Sequence, residues 1–592
     1  MKFSRENDVI RIGFAALAAT GLLAVAVGTA AARAPQPNGP QEEVKHSFDR
    51  TVPLPSGQSL RIEHRLGGIT VRTHSSRDVH VLASIRVAAA SRDDAENFAN
   101  QIQIHIEPSS SGLLVRTDYP EQNNSWWNHR NISFSVEYEI EMPDDAPLTI
   151  RNGFGNVSVY GLKAAADIDN KQGTVTVHDG KGNQLLRDSF GAVELINNDG
   201  DADVGTNNGS VQVSQIHGAL TVNDRFGSVN AGNITRTVSI NNSNGTVEVH
   251  QAGGPSTIRN SFGSVTVSDI TGDLTVRNGN GAVDARNISG AADLQTSFAS
   301  LSFLNVHQRL ICRSSNGSIS GSGAAAGASI HTSFATVEVH DIGGPLDIEN
   351  NNGKVEARDI RGPLQVRTSF AGVEASGIHG DLTINATNSA MELSQIEGSV
   401  QAEGSFGKVE ISGVRRGVRV VTGNAGVSVL DAGGETYIKT TFGLVRAERI
   451  NGSLTVEDSN GSVKATTIHG AASVRTSFGS VALTGVDGGV DVDNQNGSVD
   501  VSGVPAKNTA GACNAITLRS SFAPVRVALS DGGGYDLTSR TSFGKVSSEL
   551  DVTASGTLGG DSLNGRIGGG GCPLQLTNSN GNIEILKATS RH

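Results

Sequence analysis

Residues 261–290, SFGSVTVSDITGDLTVRNGNGAVDARNISG, state one pattern twice. Phe262-Gly263 leads into Val265, Val267 and Ile270, and 18 residues later Asn280-Gly281 leads into Val283, Ala285 and Ile288. Apolar residues alternating at period two over so short a run mark strands with one buried face. Gly at each end supplies the positive φ that tight corners need. Two short strands and two corners in 18 residues make one coil of a β-solenoid, stacked on the next with parallel, in-register strands about 4.8 Å apart.

The pattern extends far beyond this stretch. Phe stands at 154, 190, 226, 262, 298, 334, 370, 406, 442 and 478, always 36 residues apart. Midway lie Gln172-Gly173 and the Asn-Gly pairs at 208, 244, 280, 316, 352, 460 and 496, with Asn388-Ser389 and Asn424-Ala425 as departures. The predicted fold is therefore all-β: a solenoid of 18-residue coils with a 36-residue Phe/Asn superperiod. Roughly twenty coils at strand spacing give a rod on the order of 100 Å long. A Phe in every second coil is expected to fill the core over two coil heights, about 9.6 Å, while the intervening Asn satisfies the corner backbone. On that expectation Phe298→Ala costs about 3–5 kcal/mol as a core truncation.

A propeller is the competing architecture, because Asn-Gly between alternating strands is also a hairpin signal and 36 residues hold four strands. The strands are short for blades, and both halves of the 36-mer carry the same pattern, which favours stacked coils.

The chain ends differ from the array. Residues 1–34 read as a signal peptide or an N-terminal anchor: Lys2, Arg5 and Arg11 precede an apolar Ile12–Val27 run and small residues through Ala32. The run from Ile12 to Ala32 is nearly long enough to span a bilayer, and the A-x-A-like ending favours cleavage. Residues 35–147 read as a small α+β capping region. Ser91 to Asp94 resemble a capping box opening a helix through about Gln101, and Ile132, Phe134, Val136, Tyr138 and Ile140 alternate as a strand. Leu60, Ile62, Leu66, Ile69 and Val71 already fit the coil pattern, with Leu66 in the Phe slot. The regular array occupies 148–500, and 501–592 read as looped terminal coils and a C-terminal cap, where Phe522 and Phe543 continue the series off the grid. Caps are expected because an open solenoid end exposes unpaired strand groups.

Composition narrows the function classes. The chain has 592 residues, a formal net charge of -12, 4% aromatic residues and three cysteines. The mild acidity opposes nucleic-acid binding, which needs a basic footprint. Cys312 falls on an inward strand slot, a small buried position. Cys513 and Cys572 lie in Gly-rich loops, where export permits a disulfide between them. The export signal places the protein in the periplasm, on the outer cell surface or outside the cell, with membrane contact only through an uncleaved N-terminal segment.

With its signal segment, the entry region Leu60 to Val71, and repeats such as NSNGTVEV and TSFGSVAL, nearly all the mature chain resembles the bacterial putative-adhesin family, exported β-strand-repeat proteins of unknown function. The resemblance implies a surface-adhesion role and brings no catalytic residues with it.

Candidate chemistry is sparse. Glu338, Glu356, Glu374, Glu392 and Glu410 occupy one outward column in five successive coils. Stacked at strand spacing, they are candidate oxygen ligands for Ca²⁺; the simpler reading is a solvated face whose carboxylates pair with neighbours such as His340 and Arg358. Paired carboxylates on a stacked-coil rod also suit a glycosidase, but such enzymes break their repeat to build a cleft, and this column lies in the most regular stretch. Trp126 and Trp127 are either binding aromatics or a plug over the open core. HExxH, CxxC, nucleophile-elbow and P-loop motifs are absent. The reading is an exported, non-enzymatic scaffold with no cofactor, whose partners are surface glycans or envelope proteins. The alternative is a carbohydrate-binding or carbohydrate-active rod, lyase- or glycosidase-like, using its acidic face.

Overall fold

A computed structural model of the chain describes residues 41–120, 132–530, 532–555 and 559–588. The N-terminal segment read as a signal or anchor, and the Trp126-Trp127 loop, lie outside the described residues. Those described hold 55 strands and one helix. Strand Val265–Ile270 pairs in parallel, residue for residue, with Val247–Ala252 before it and Val283–Ile288 after it. Leu274–Asn278 pairs likewise with Ser256–Asn260 and Ala292–Gln295. Each coil thus gives one strand to each of two long parallel sheets, and partners are 18 residues apart throughout the array. The Asn-Gly pairs carry the chain across from one sheet to the other. Hairpins within the array, and with them the propeller, are excluded.

The core is the space between the sheets. Val265, Val267, Ile270, Leu274 and Val276 are buried there, and the same slots are buried coil after coil. Residue size compensates along each column. In the column of Val267, Phe303 pairs with Ala285 on one side and Gly321 on the other, and its ring is buried.

The two corners are built differently, and only partly as expected. At the corner within the first strand the positive φ falls mostly on non-glycine residues, such as Gln251 at 56°, Asp269 at 60° and Asn287 at 55°. The position recurs every 18 residues through the array, with Gly taking it at places such as 323, 377, 413 and 485. Asp and Asn tolerate this conformation because their short polar side chains bond locally. At the other corner Gly263, after Phe, has φ of 100°. Gly281, after Asn, is required for a second reason: a Cβ there would stand 1.6 Å from the Gly263 carbonyl oxygen of the coil below.

The ends close the sheets. At the N-terminus Glu42–Pro53 and Ser133–Pro143 flank Asp78–Ala89 in antiparallel pairing. Ser133–Pro143 then runs parallel to Ile69–His74, the first solenoid-type strand of its sheet. Helix Arg92–Ala99 starts at Ser91, whose Oγ accepts the Asp94 N–H at 3.2 Å. It places Phe98 against Phe134, with ring centroids 4.7 Å apart. At the C-terminus the coils stack out of chain order: Cys572–Asn578 inserts between Ile516–Ser520 and Tyr535–Thr541.

The expectation that the Phe column fills the core is overturned. Phe298 is 65% exposed, and no Phe of the series falls below 49%. The inward slot at that corner belongs to the residue two positions earlier. Asn260 is buried, and its Nδ2 donates to the carbonyls of Gly245, Phe262 and Gly263 at 3.0, 3.0 and 3.1 Å. The corner carbonyls turn inward and need a polar partner, since an unpaired buried carbonyl is costly. Asn and Thr meet that demand as donors, while Asp188 and Asp224 in the same slot accept the corner N–H groups of Gly191 and Gly227. Both needs put a polar side chain inside and turn the Phe out.

Candidate functional site: the exposed phenylalanine edge

The outward Phe side chains line one long corner of the rod. Phe370 pairs with Asn388 and Asn388 with Phe406, so ring and amide alternate from coil to coil. The alternation outlasts the 36-residue grid. Asn578 pairs with Ser520 on one side and Thr541 on the other, which stacks Phe522, Asn580 and Phe543 in sequence along the edge despite their chain order. Twelve exposed rings result, two coils apart, about 9.6 Å at strand spacing. The Asn residues between them serve the backbone as expected: Asn244 and Asn496 donate to the Arg225 and Ser477 carbonyls, each at 3.1 Å.

A polar groove runs beside this edge on the second sheet. One section has a volume of about 670 Å³ and is lined by Glu349, Arg367, Ser369, Asn385, Glu403 and Ser405 among others. Along it Arg367 pairs with Glu349 of the preceding coil at 3.0 Å.

The acidic column lies on the first sheet. Glu338, Glu356, Glu374, Glu392 and Glu410 pair in register, each with the next. Cations stand among them. Lys354 Nζ bridges Glu374 at 2.7 Å and Glu356 at 3.4 Å, Arg358 also contacts Glu356, and Lys408 contacts Glu410. His340 turns to Asp341 instead, at 2.7 Å. Among the described residues no three His, Cys, Asp or Glu side chains converge to hold a metal. Because Lys354 occupies the space a cation would take, millimolar Ca²⁺ should leave the melting temperature unchanged in the parent protein and in Glu356→Gln/Glu374→Gln. A Ca²⁺-dependent rise in melting that the double variant lost would assign the column to metal binding.

Cys513 and Cys572 form a disulfide with Cα atoms 5.2 Å apart. It ties the loop before Ile516–Ser520 to the strand inserted out of chain order. Cys312 is fully buried between Leu294 and Ile330 of adjacent coils, and burial pushes its thiol pKa up.

A buried titratable cluster in the N-terminal cap escaped the sequence reading. His64 Nε2 donates to the Val136 carbonyl at 2.9 Å, which leaves Nδ1 to accept from the Thr117 and Tyr119 hydroxyls, both at 3.2 Å. Burial lowers the His64 pKa to about 4 and raises that of Tyr119 to about 12. The unfolded chain takes up a proton near pH 6.5 that the folded cap refuses until about pH 4. Stability from this group is therefore complete above pH 6.5 and falls by about 3 kcal/mol on acidification to pH 4. Hydrogen exchange of Ser59–Leu66 and Ser133–Pro143, corrected for intrinsic rates, should show that loss. His64→Gln should flatten it, and a pH-independent parent would show that the ring is not held neutral by burial.

No protein-family model and no curated protein matches the chain. Among solved structures it is similar to a putative cell adhesion protein from Clostridium sporogenes, with 12% identity and a TM-score of 0.18 over 37% of this chain and 100% of that one. A superposition that poor carries no argument about this chain. The class it belongs to, a two-sheet β-solenoid with capped ends and an aromatic edge, rests on its own geometry.

Proposed function

We propose that the protein is an exported, non-enzymatic scaffold, an adhesin-like rod of the cell envelope or surface. The observation that carries this reading is the unbroken stack: from Leu148–Phe154 to Val499–Val504 every coil keeps the same slots, and the exposed ones repeat along the rod. Chemistry needs one differentiated place, with groups set apart from their neighbours by environment. A repeated surface suits many weak contacts in parallel, whose avidity exceeds that of any one. The Cys513–Cys572 disulfide supports an oxidising compartment. The polar groove beside the Phe edge is the physical support for the carbohydrate-binding alternative.

Fractionation of the native host, with thiols alkylated at lysis, combined with a panel of cell-surface preparations and polysaccharides, tests the reading. The expected result is protein in the envelope or outside the cell, Cys513 and Cys572 oxidised, and binding without turnover. Cytoplasmic protein with reduced thiols, or cleavage of any polysaccharide, would overturn it.

A further inference from the structure

We propose that the phenylalanine edge is a self-association surface on which a second copy of this chain packs antiparallel. The inference goes beyond the scaffold reading and does not depend on it. Its first support is area. Twelve Phe side chains, each about half exposed or more, present on the order of 1,000 Å² of apolar surface per molecule. Two copies would together remove about 2,000 Å² from water, the size of a stable protein interface.

The second support is charge. A chain of net charge -12 repels its own copies, yet the edge itself is nearly neutral. Ten of the twelve Phe residues follow Ser or Thr, and each is followed by Gly or Ala. Like charges are kept off the one strip where copies would meet.

The third support is shape. Rings two coils apart, with short side chains on the coil between, form a sawtooth. A second sawtooth fits when it is displaced by one coil, about 4.8 Å. A two-fold axis perpendicular to the rod achieves this and closes the assembly as a dimer, where a simple translation would leave an open chain. In the register of greatest overlap Leu66 faces the partner's Phe543, and Phe334 faces the partner's Asn352. Every ring from Phe154 to Phe522 then enters a gap, and Phe543 packs on the partner's Leu66.

Sedimentation of the purified protein at micromolar concentration, with cysteine cross-linking, tests this. The parent should sediment as a dimer. Replacing Phe262, Phe298, Phe334 and Phe370 by Ser should weaken dimerisation at least a hundredfold while leaving the circular dichroism spectrum of the rod unchanged, since within one molecule these side chains are exposed. Asn352→Cys lies at the two-fold axis and should form a cross-linked dimer under mild oxidation. Asn208→Cys, far from the axis, should not. The buried Cys312 and the bonded Cys513–Cys572 pair leave the introduced thiol as the reactive one. A monomeric parent, a four-Ser variant that stays dimeric, or cross-linking of Asn208→Cys in place of Asn352→Cys would overturn the proposal. So would a monomeric parent whose Phe residues bind insoluble β-glucan or neutral phosphatidylcholine vesicles, which would give the edge to that occupant.

Discussion

Phe303→Ala is expected to destabilise its part of the rod by about 4 kcal/mol, the cost of truncating a buried Phe to a cavity. Phe298→Ala, five residues away, should change stability by no more than about 0.5 kcal/mol, as exposed positions do. Phe303 is 3% exposed and Phe298 65%. The Phe303 ring sits between Ala285 and Gly321 in its column, and neither side chain is large enough to refill the space it would leave. A repeat array does not unfold in one step, so the measurement is amide exchange across Val283–Ile288, Leu301–Val306 and Ile319–Ala324. Loss of protection confined to these coils in Phe303→Ala, with Phe298→Ala indistinguishable from the parent, is the expected pair of results. Equal losses in the two variants would place the Phe298 ring in the core after all.

Removing the disulfide by Cys513→Ala with Cys572→Ala is expected to cost about 4 kcal/mol of C-terminal cap stability, the loop-closure value for a cross-link of this span. The bonded residues are 59 apart. Their bond holds the strand Cys572–Asn578 in its place between Ile516–Ser520 and Tyr535–Thr541. Without the bond, that strand must find the gap between two others against the entropy of a long free loop. The loss should appear as proteolytic sensitivity and exchange within 516–588, while coils between Val265 and Val486 stay protected. A cap equally stable in the double variant would mean that strand pairing alone selects the inserted order.

Much of the architecture was legible. The Phe recurrence set the coil length, and the alternation of Val265, Val267, Leu274 and Val276 set which strand residues face inward. Both follow from period-two geometry, which leaves a strand only two faces. Phe303 obeys the same parity, although it lies off the 36-residue grid. The Ser91 capping box, the Leu60–Val71 entry coil and the shared column of Glu338 to Glu410 were readable for the same reason. Local spacing translates directly into position once neighbouring strands are in register.

The corners resisted that logic. At a turn the alternation lapses, and apolar character alone wrongly placed the Phe column inside. Asn260, Asp188 and Thr206 occupy the interior there, because the corner turns both carbonyls and N–H groups inward. Asn260 and Thr206 donate to carbonyls and Asp188 accepts the Phe190 and Gly191 N–H groups, none of which a ring can do. The positive φ at Asp269 and its equivalents was equally hidden, for Gln251 holds the same conformation without a residue-type signal. The sequence by itself determined the coil, its length, its strand faces and the parallel stack, since each depends only on spacing along the chain. Only the tertiary structure decided which corner residue turns inward, how the last coils interleave out of chain order, and that the recurring Phe forms an outer edge. Those outcomes depend on hydrogen-bond demand and space set by the coils above and below, which spacing along the chain does not encode.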